Sequence, residues 1–373
     1  MKRAFTLFFC VITILLFSLS PAGLLQGLQT NVYTQQAREK QQQYTGNLSL
    51  WHIVSFKTGG QSGVSYLRER IRYFEQKHPY VFIQLTAYTA EEAQQALARG
   101  EFPDLISYPL GFFPDPSVFC PLPLPNQLPR NLRTVGSFDG VCYAYPYMAD
   151  AYTLSIDQDM FFDQDIPLPA DIALDDSALS QLTDFLIQTS ASPALGDTAS
   201  PMAEFSLLHS YALADMQLRY WQSCRTFSPD SFWEKASPCL LAPAAEILKS
   251  AESSANPLSL QTYTLRGYSD LCQCIGVNAQ SASDKAAMGQ AFCASLLTAS
   301  AQKALQALYM LPVLPLEALY PDSPLHAQAY HDLQKYGIVP NTFAFAAQLQ
   351  QPFLQLSDPA AKTLLQKIVS TGK

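Results

Sequence analysis

At 373 residues the chain suits two lobes rather than one ordinary core. Hydrophobic residues make up 48% and charged residues 14%, which supplies apolar material for sizeable cores and excludes a disordered chain. A formal net charge of −8 argues against nucleic-acid phosphate as a partner and leaves the class of small molecule open.

Lys2 and Arg3 give a positive start, Ala4 to Leu19 is an apolar run, and Ser20-Pro21-Ala22 offers small residues where a signal peptidase reads. Residues 1–28 are therefore expected to be a signal peptide, or a signal anchor if the apolar run continues through Leu24, Leu25 and Leu28. Either way the protein is expected outside the cytoplasm, whether extracellular, periplasmic or anchored at the cell surface. The Gln-rich residues 29–46 read as a polar tether. Cys10 lies inside the apolar run, which leaves seven cysteines in a cleaved chain and at least one free thiol. Cys224 with Cys239 and Cys120 with Cys142 are candidate pairs; the alternative is that most are small buried thiols.

Leu48–Phe56 is apolar enough for a strand, and a glycine-rich loop, Lys57–Gly63, follows it. Val64, Leu67, Ile71 and Phe74 then recur at helical spacing. Tyr80–Tyr88 reads as a second strand, Thr89 and Glu92 as a capping box, and Asp104–Tyr108 as a third strand after a helix ending near Gly100. This order opens a parallel α/β sheet with both faces covered. Pro114–Pro129 carries six prolines and reads as a surface loop. Asp139-Gly140 is a turn between short β-rich runs that extend across 133–156. From Leu174 to about Ser253 the apolar spacing is mainly helical, as at Leu179, Leu182, Phe185 and Leu186. Tyr268–Ser281 contains a strand in which Cys272 and Cys274 share a face and so do not bridge each other. A long helix is expected to bury Met288, Phe292 and Leu296, continue through Gln302, and end near Met310-Leu311-Pro312-Val313.

Two segments, GEFPDLISY at Gly100–Tyr108 and DGVCYAYPYMADAYTLSIDQDMF at Asp139–Phe161, resemble the extracellular solute-binding proteins of bacterial ABC importers, sugar type. The Gly276-Val277-Asn278 turn and the Pro312-Val313 exit fit the same order, so the resemblance spans most of residues 45–320. It implies an α/β, two-lobed, periplasmic-binding-protein-like fold of type II, each lobe a mixed sheet flanked by helices and the hinge made of crossing strands. Lobe 1 would hold residues 45–149 plus 272–312, and lobe 2 residues 150–271 plus 313–373. The chain departs from the family at Cys239–Ser250, CLLAPAAEILKS, where relatives often carry a glycine and a ligand-touching tryptophan.

Ligands of open α/β sheets sit beyond the carboxyl ends of strands. Trp51 and Lys57 at the end of the first strand, and Tyr108 at the end of the third, are therefore candidate ligand contacts. His52 alternates to the opposite face from Trp51. Asp150 and Tyr152 lie at the crossover, and Tyr268, beside Arg266 and Asp270, would approach from lobe 2. Gly59–Gly63 is either a connecting turn or a set of free N–H groups for an anion. The five histidines are scattered, so no metal and no cofactor is expected. The resemblance implies a non-catalytic receptor, monomeric, that closes on a small polar solute (a carbohydrate in the family) and presents it to a membrane permease. Two alternatives stand beside it: an anchored orphan sensor or interaction domain, and an enzyme like thiaminase I, where Asp150 occupies the place of the nucleophilic cysteine.

Overall fold

Strand β1, Gly46–Val54, is the centre around which the first half of the chain is built, and five of its nine residues are buried. The computed structural model describes residues 44–54, 58–159, 168, 176–188, 194–195, 232–234, 237, 239–253, 259–265, 269–337 and 339–348. The leader, nearly all of the tether, Phe56, Lys57, Trp221, Cys224, Arg266 and Tyr268 lie outside these residues.

Helix α1, Gly63–Lys77, buries Tyr66, Leu67, Ile71 and Phe74 and starts where the Ser62 side chain accepts from the Ser65 N–H. Strand β2, Val81–Thr89, then pairs in parallel with β1 along its whole length. Thr89 and Glu92 form the expected capping box at the start of α2, Ala90–Ala98. Strand β3, Leu105–Pro109, flanks β1 on the other side, again in parallel.

The proline-rich stretch is loop apart from one short 3-10 turn, Pro116–Val118, and a four-residue helix α3, Arg130–Arg133, follows it. Strands β4, Ser137–Phe138, and β5, Val141–Cys142, form a hairpin whose two turn residues, Asp139 and Gly140, have φ of 47° and 79°. Positive φ at both positions is what a tight two-residue hairpin needs, and Asp-Gly adopts it readily.

Strand β6, Ala144–Ala149, ends the first run, and β7, Tyr152–Asp157, starts a second sheet after two residues. Helix α4, Asp176–Gln188, and strands β8, Ala194–Leu195, and β9, Cys239–Pro243, come next. They are followed by helix α5, Ala244–Ser253, and strand β10, Leu260–Thr264. Strand β11, Cys272–Val277, returns to the first sheet, where it lies antiparallel between β3 and β6. The two mixed sheets run β2-β1-β3-β11-β6 and β10-β7-β9-β8.

Two structural differences from the sequence reading have physical causes. Cys239–Pro243 is a strand inside the stretch expected to be helical, because its five consecutive buried residues occupy a central strand covered on both faces. The long terminal helix is broken: α6, Ser283–Ser295, stops, and Thr298 caps a separate short helix α7, Ala299–Lys303. After a 3-10 turn the chain leaves at Tyr309 with φ of 57°. Helix α8, Pro324–Lys335, joins the second sheet through Thr264 Oγ1, which donates to Asp332 Oδ2 at 2.8 Å. Helix α9, Thr342–Gln348, instead sits beside the first sheet, with the Phe343 ring against Phe119 and Tyr143.

Cys120, Cys142, Cys239, Cys272, Cys274 and Cys293 are free thiols, all but Cys120 fully buried, which is the unpaired alternative for Cys120 and Cys142.

Candidate ligand-binding cleft

Three chain segments meet where the two sheets adjoin. Ala149 and Leu311 exchange backbone hydrogen bonds of 3.0 and 2.7 Å, and the Asp150 N–H donates to Leu271 O at 2.8 Å. Gln302, wholly buried, ties the segments together: its Nε2 donates to Tyr147 O and Leu296 O at 2.8 Å each, and its Oε1 accepts from Val313 N at 2.7 Å. A buried amide satisfied by backbone on both ends is a rigid fastening.

Beside this crossing, a cavity of about 260 Å³ opens at the carboxyl end of β1. One wall comes from the first sheet and its loop: His52 and Val54 of β1, Thr58, Gly60 and Ser62 to Val64 at the mouth of α1, Met148 of β6 and Gln273 of β11. Lys249 of α5, which packs on the second sheet, supplies the opposite wall. Among the described lining residues there is no carboxylate and no tyrosine.

The first part of the glycine loop, Gly59–Gln61, is a connecting turn. Gly59 and Gly60 N–H both donate to Leu308 O, and Gln61 N–H donates to Ala307 O, so these groups are already used. A Cβ on Gly60 would stand 2.1 Å from Ala307 O, and one on Gly59 2.7 Å from Ala245 O, so only glycine permits this approach.

Beneath the cavity lies a buried polar chain. His52 Nδ1 is 2.9 Å from Ser107 Oγ, which is 2.9 Å from Tyr147 OH. Gln273 Nε2 donates to Ser107 Oγ and to Ile53 O, both at 3.0 Å. Burial lowers His52 from the ordinary imidazole value to about 4, so its ring is neutral at physiological pH.

The expected site residues divide by position. Trp51 is buried in the core face of β1, its ring edge-on to Tyr88 at 4.8 Å. Tyr108 is completely buried, stacked on Phe119 with ring centres 5.2 Å apart and edge-on to Phe113 at 5.0 Å. Asp150 turns its carboxylate inward: Oδ1 accepts from Ala151 N at 2.8 Å and Oδ2 from Ala245 N at 3.2 Å, at the start of α5. Burial pushes its pKa up to about 7 although both N–H groups favour the carboxylate. Tyr152 is buried and donates to Asp270 Oδ1 at 2.8 Å. None of these four reaches the cavity wall, because both sheet faces at these points are covered by protein. Lys57 and Tyr268 fall outside the described residues. His52, Ser107 and Gln273, on the neighbouring strands β1, β3 and β11, are hydrogen-bonded together, and His52 and Gln273 line the cavity.

Nucleophilic chemistry at this crossing gets no help from the geometry. Burial pushes the Cys142 thiol up to about 11, and its Sγ points to Ala144 O at 3.4 Å.

No family model and no curated protein matches the sequence. Solved structures do match. An ABC substrate-binding protein from Listeria monocytogenes in complex with cycloalternan is 12% identical, with a TM-score of 0.59 over 88% of this chain and 99% of that one. The cyclic alpha-maltosyl-1,6-maltose binding protein from Arthrobacter globiformis is 13% identical, with a TM-score of 0.60 over 88% of this chain and 100% of that one. Iron-bound HitA from Pseudomonas aeruginosa is 14% identical, with a TM-score of 0.51 over 86% of this chain and 99% of that one. The first two are binding proteins by name, and at such identities the likeness assigns architecture alone. The chain has the two-lobed, type II periplasmic-binding-protein fold.

Proposed function

We propose that this protein is an exported, non-catalytic solute receptor of an ABC importer, which holds a small polar solute, a carbohydrate first, in the cleft beside the crossing strands. In this reading the lobes are residues 45–149 plus 272–312 and 150–271 plus 313–373, with α9 packed back beside the first. Closure of the two around the solute would create the surface that a membrane permease reads. A ligand drives closure only as far as it binds the closed state better, so it must touch both walls.

The observation that carries this reading is the cavity with His52, Met148 and Gln273 on one wall and Lys249 on the other. Among neighbours of this fold, two carry cyclic oligosaccharide ligands by name and one carries iron. A lining without described carboxylates or tyrosines suits a neutral hydroxyl-rich solute better than a metal cation, which prefers anionic oxygen. Trp51, Tyr108, Asp150 and Tyr152 then act behind the site, in the core and at the crossing, while Lys57 and Tyr268 remain candidate contacts.

A thermal-shift screen of the purified protein against neutral oligosaccharides, polyols, amino acids, vitamins and ferric ion tests this. A solute present at one hundred times its Kd adds about 2.7 kcal/mol, a rise of several degrees in Tm. An oligosaccharide is expected to give that rise; a panel in which no compound moves Tm would remove the receptor reading, and a response to ferric ion alone would replace the solute class.

A further inference from the structure

The geometry points to His52 as a fixed hydrogen-bond donor in the cleft: its Nε2–H faces the cavity and requires an oxygen acceptor on the solute at that point. This deepens the receptor reading and rests on it for the identification of the cavity as the solute site.

The hydrogens beneath the cavity can be assigned one by one. Gln273 Nε2 has two hydrogens, and the carbonyl Ile53 O, which can only accept, fixes the orientation of the amide. The second hydrogen goes to Ser107 Oγ and fills one of its two lone pairs. Ser107 is left with one hydrogen and one lone pair, to be shared between His52 Nδ1 and Tyr147 OH, each 2.9 Å away.

Two arrangements are then possible. If His52 carried its proton on Nδ1, it would fill the last lone pair, and Ser107 would donate to Tyr147. The Tyr147 hydrogen would then be orphaned, because this fully buried hydroxyl has no other partner among the described residues. Orphaned buried hydroxyls are costly and rare. In the other arrangement Tyr147 donates to Ser107, Ser107 donates to Nδ1, and no hydrogen is wasted. The imidazole proton then sits on Nε2.

The backbone keeps that donor uncovered. Gly63, the first residue of α1, also lines the cavity, and a Cβ there would stand 3.0 Å from His52 Nε2. Glycine at this position leaves the N–H open to the cleft. The matching group on the solute is a hydroxyl, ring or bridging ether, or carboxylate oxygen; an ammonium or amide N–H would meet a donor with a donor.

The tautomer can be read in the ligand-free full chain by long-range proton–nitrogen NMR on imidazole-labelled protein at pH 7, with His52→Gln assigning the signal. Wild type is expected to show a protonated Nε2 and a bare Nδ1 in a single population. Ser107→Ala, which removes the donor to Nδ1, is expected to populate both tautomers. A proton on Nδ1 in wild type overturns the inference, and an unmixed Nε2–H form in Ser107→Ala overturns the role of Ser107 as its lock. Should that variant fail to fold, the wild-type spectrum still decides. No solute enters this measurement, so its failure is separate from failure of the receptor reading, which the thermal screen registers.

Discussion

Asp150 shows how a residue at the right place in the fold can do a different job from the one its position suggests. Its main chain bonds the returning strand at Leu271, Ser269 Oγ bonds its carbonyl, and its carboxylate caps α5 at Ala245. Asp150→Ala is therefore expected to lose about 1–2 kcal/mol in urea unfolding, the usual worth of a lost cap. Tyr108 is the opposite case: its hydroxyl is buried without a hydrogen-bond partner. Tyr108→Phe should be as stable as wild type or more so by about 1 kcal/mol, since the unmade bond costs nothing to lose. Titration adds a third test. His52 and His326 are both lowered by burial to about 4, so from pH 6.5 down to 4 the unfolded chain binds a proton at each that the folded chain refuses. Stability falls with pH across that window, by about 1.4 kcal/mol per unit for each ring. Asp150 runs the other way: raised to about 7, it is protonated when folded and ionised when unfolded down to about pH 3.8, which adds stability as pH falls. Two protons against one leave a net loss of about 1.4 kcal/mol per unit from these groups, and Asp150→Asn should roughly double that slope. An unchanged slope in the variant would show that Asp150 is ionised throughout.

Elements, more than side-chain roles, were legible in the sequence. The run from β1 to β3 could be read because its strands are separated by turns or caps with their own chemistry: the glycine loop after β1, the Thr89–Glu92 box after β2, and Gly100, at φ of 80°, before β3. Strand β9 could not, because an unbroken apolar run has no period to separate a covered strand from a buried helix. The same ambiguity hid the site. In β1 and β3 both faces are covered, so alternation does not tell which residue meets the cleft; Trp51 and Tyr108 went to the core while His52, hydrogen-bonded to Ser107, lines the cavity. The available signal was a polar side chain between two less polar neighbours in a strand, at His52, Ser107 and Gln273. The loop before α1 makes its own prediction. Gly60→Ala would put a Cβ 2.1 Å from a backbone oxygen, so it should destabilise by more than the ~1 kcal/mol that glycine-to-alanine exchange usually shifts stability. Thermal unfolding of that variant beside Gly100→Ala, where no atom lies within 4 Å but φ is +80°, separates crowding from backbone strain.

Over the whole chain, the proposed function depends on one cleft shared by the two sheets. On the proposed function, the three crossings at Ala149, Leu271 and Leu311 would act as the hinge, and the cavity beside them would be where a bound molecule reaches both lobes. Val64, at the mouth of α1, is part-exposed and lines that cavity without belonging to the polar chain beneath it, so Val64→Trp should fill the space and leave the fold intact. Calorimetric titration of wild type and Val64→Trp with the oligosaccharide that most raises Tm tests the claim most directly. The account predicts one-to-one binding to wild type and at least a hundredfold weaker binding to the variant at unchanged Tm; equal affinity in both would place the solute elsewhere and contradict it.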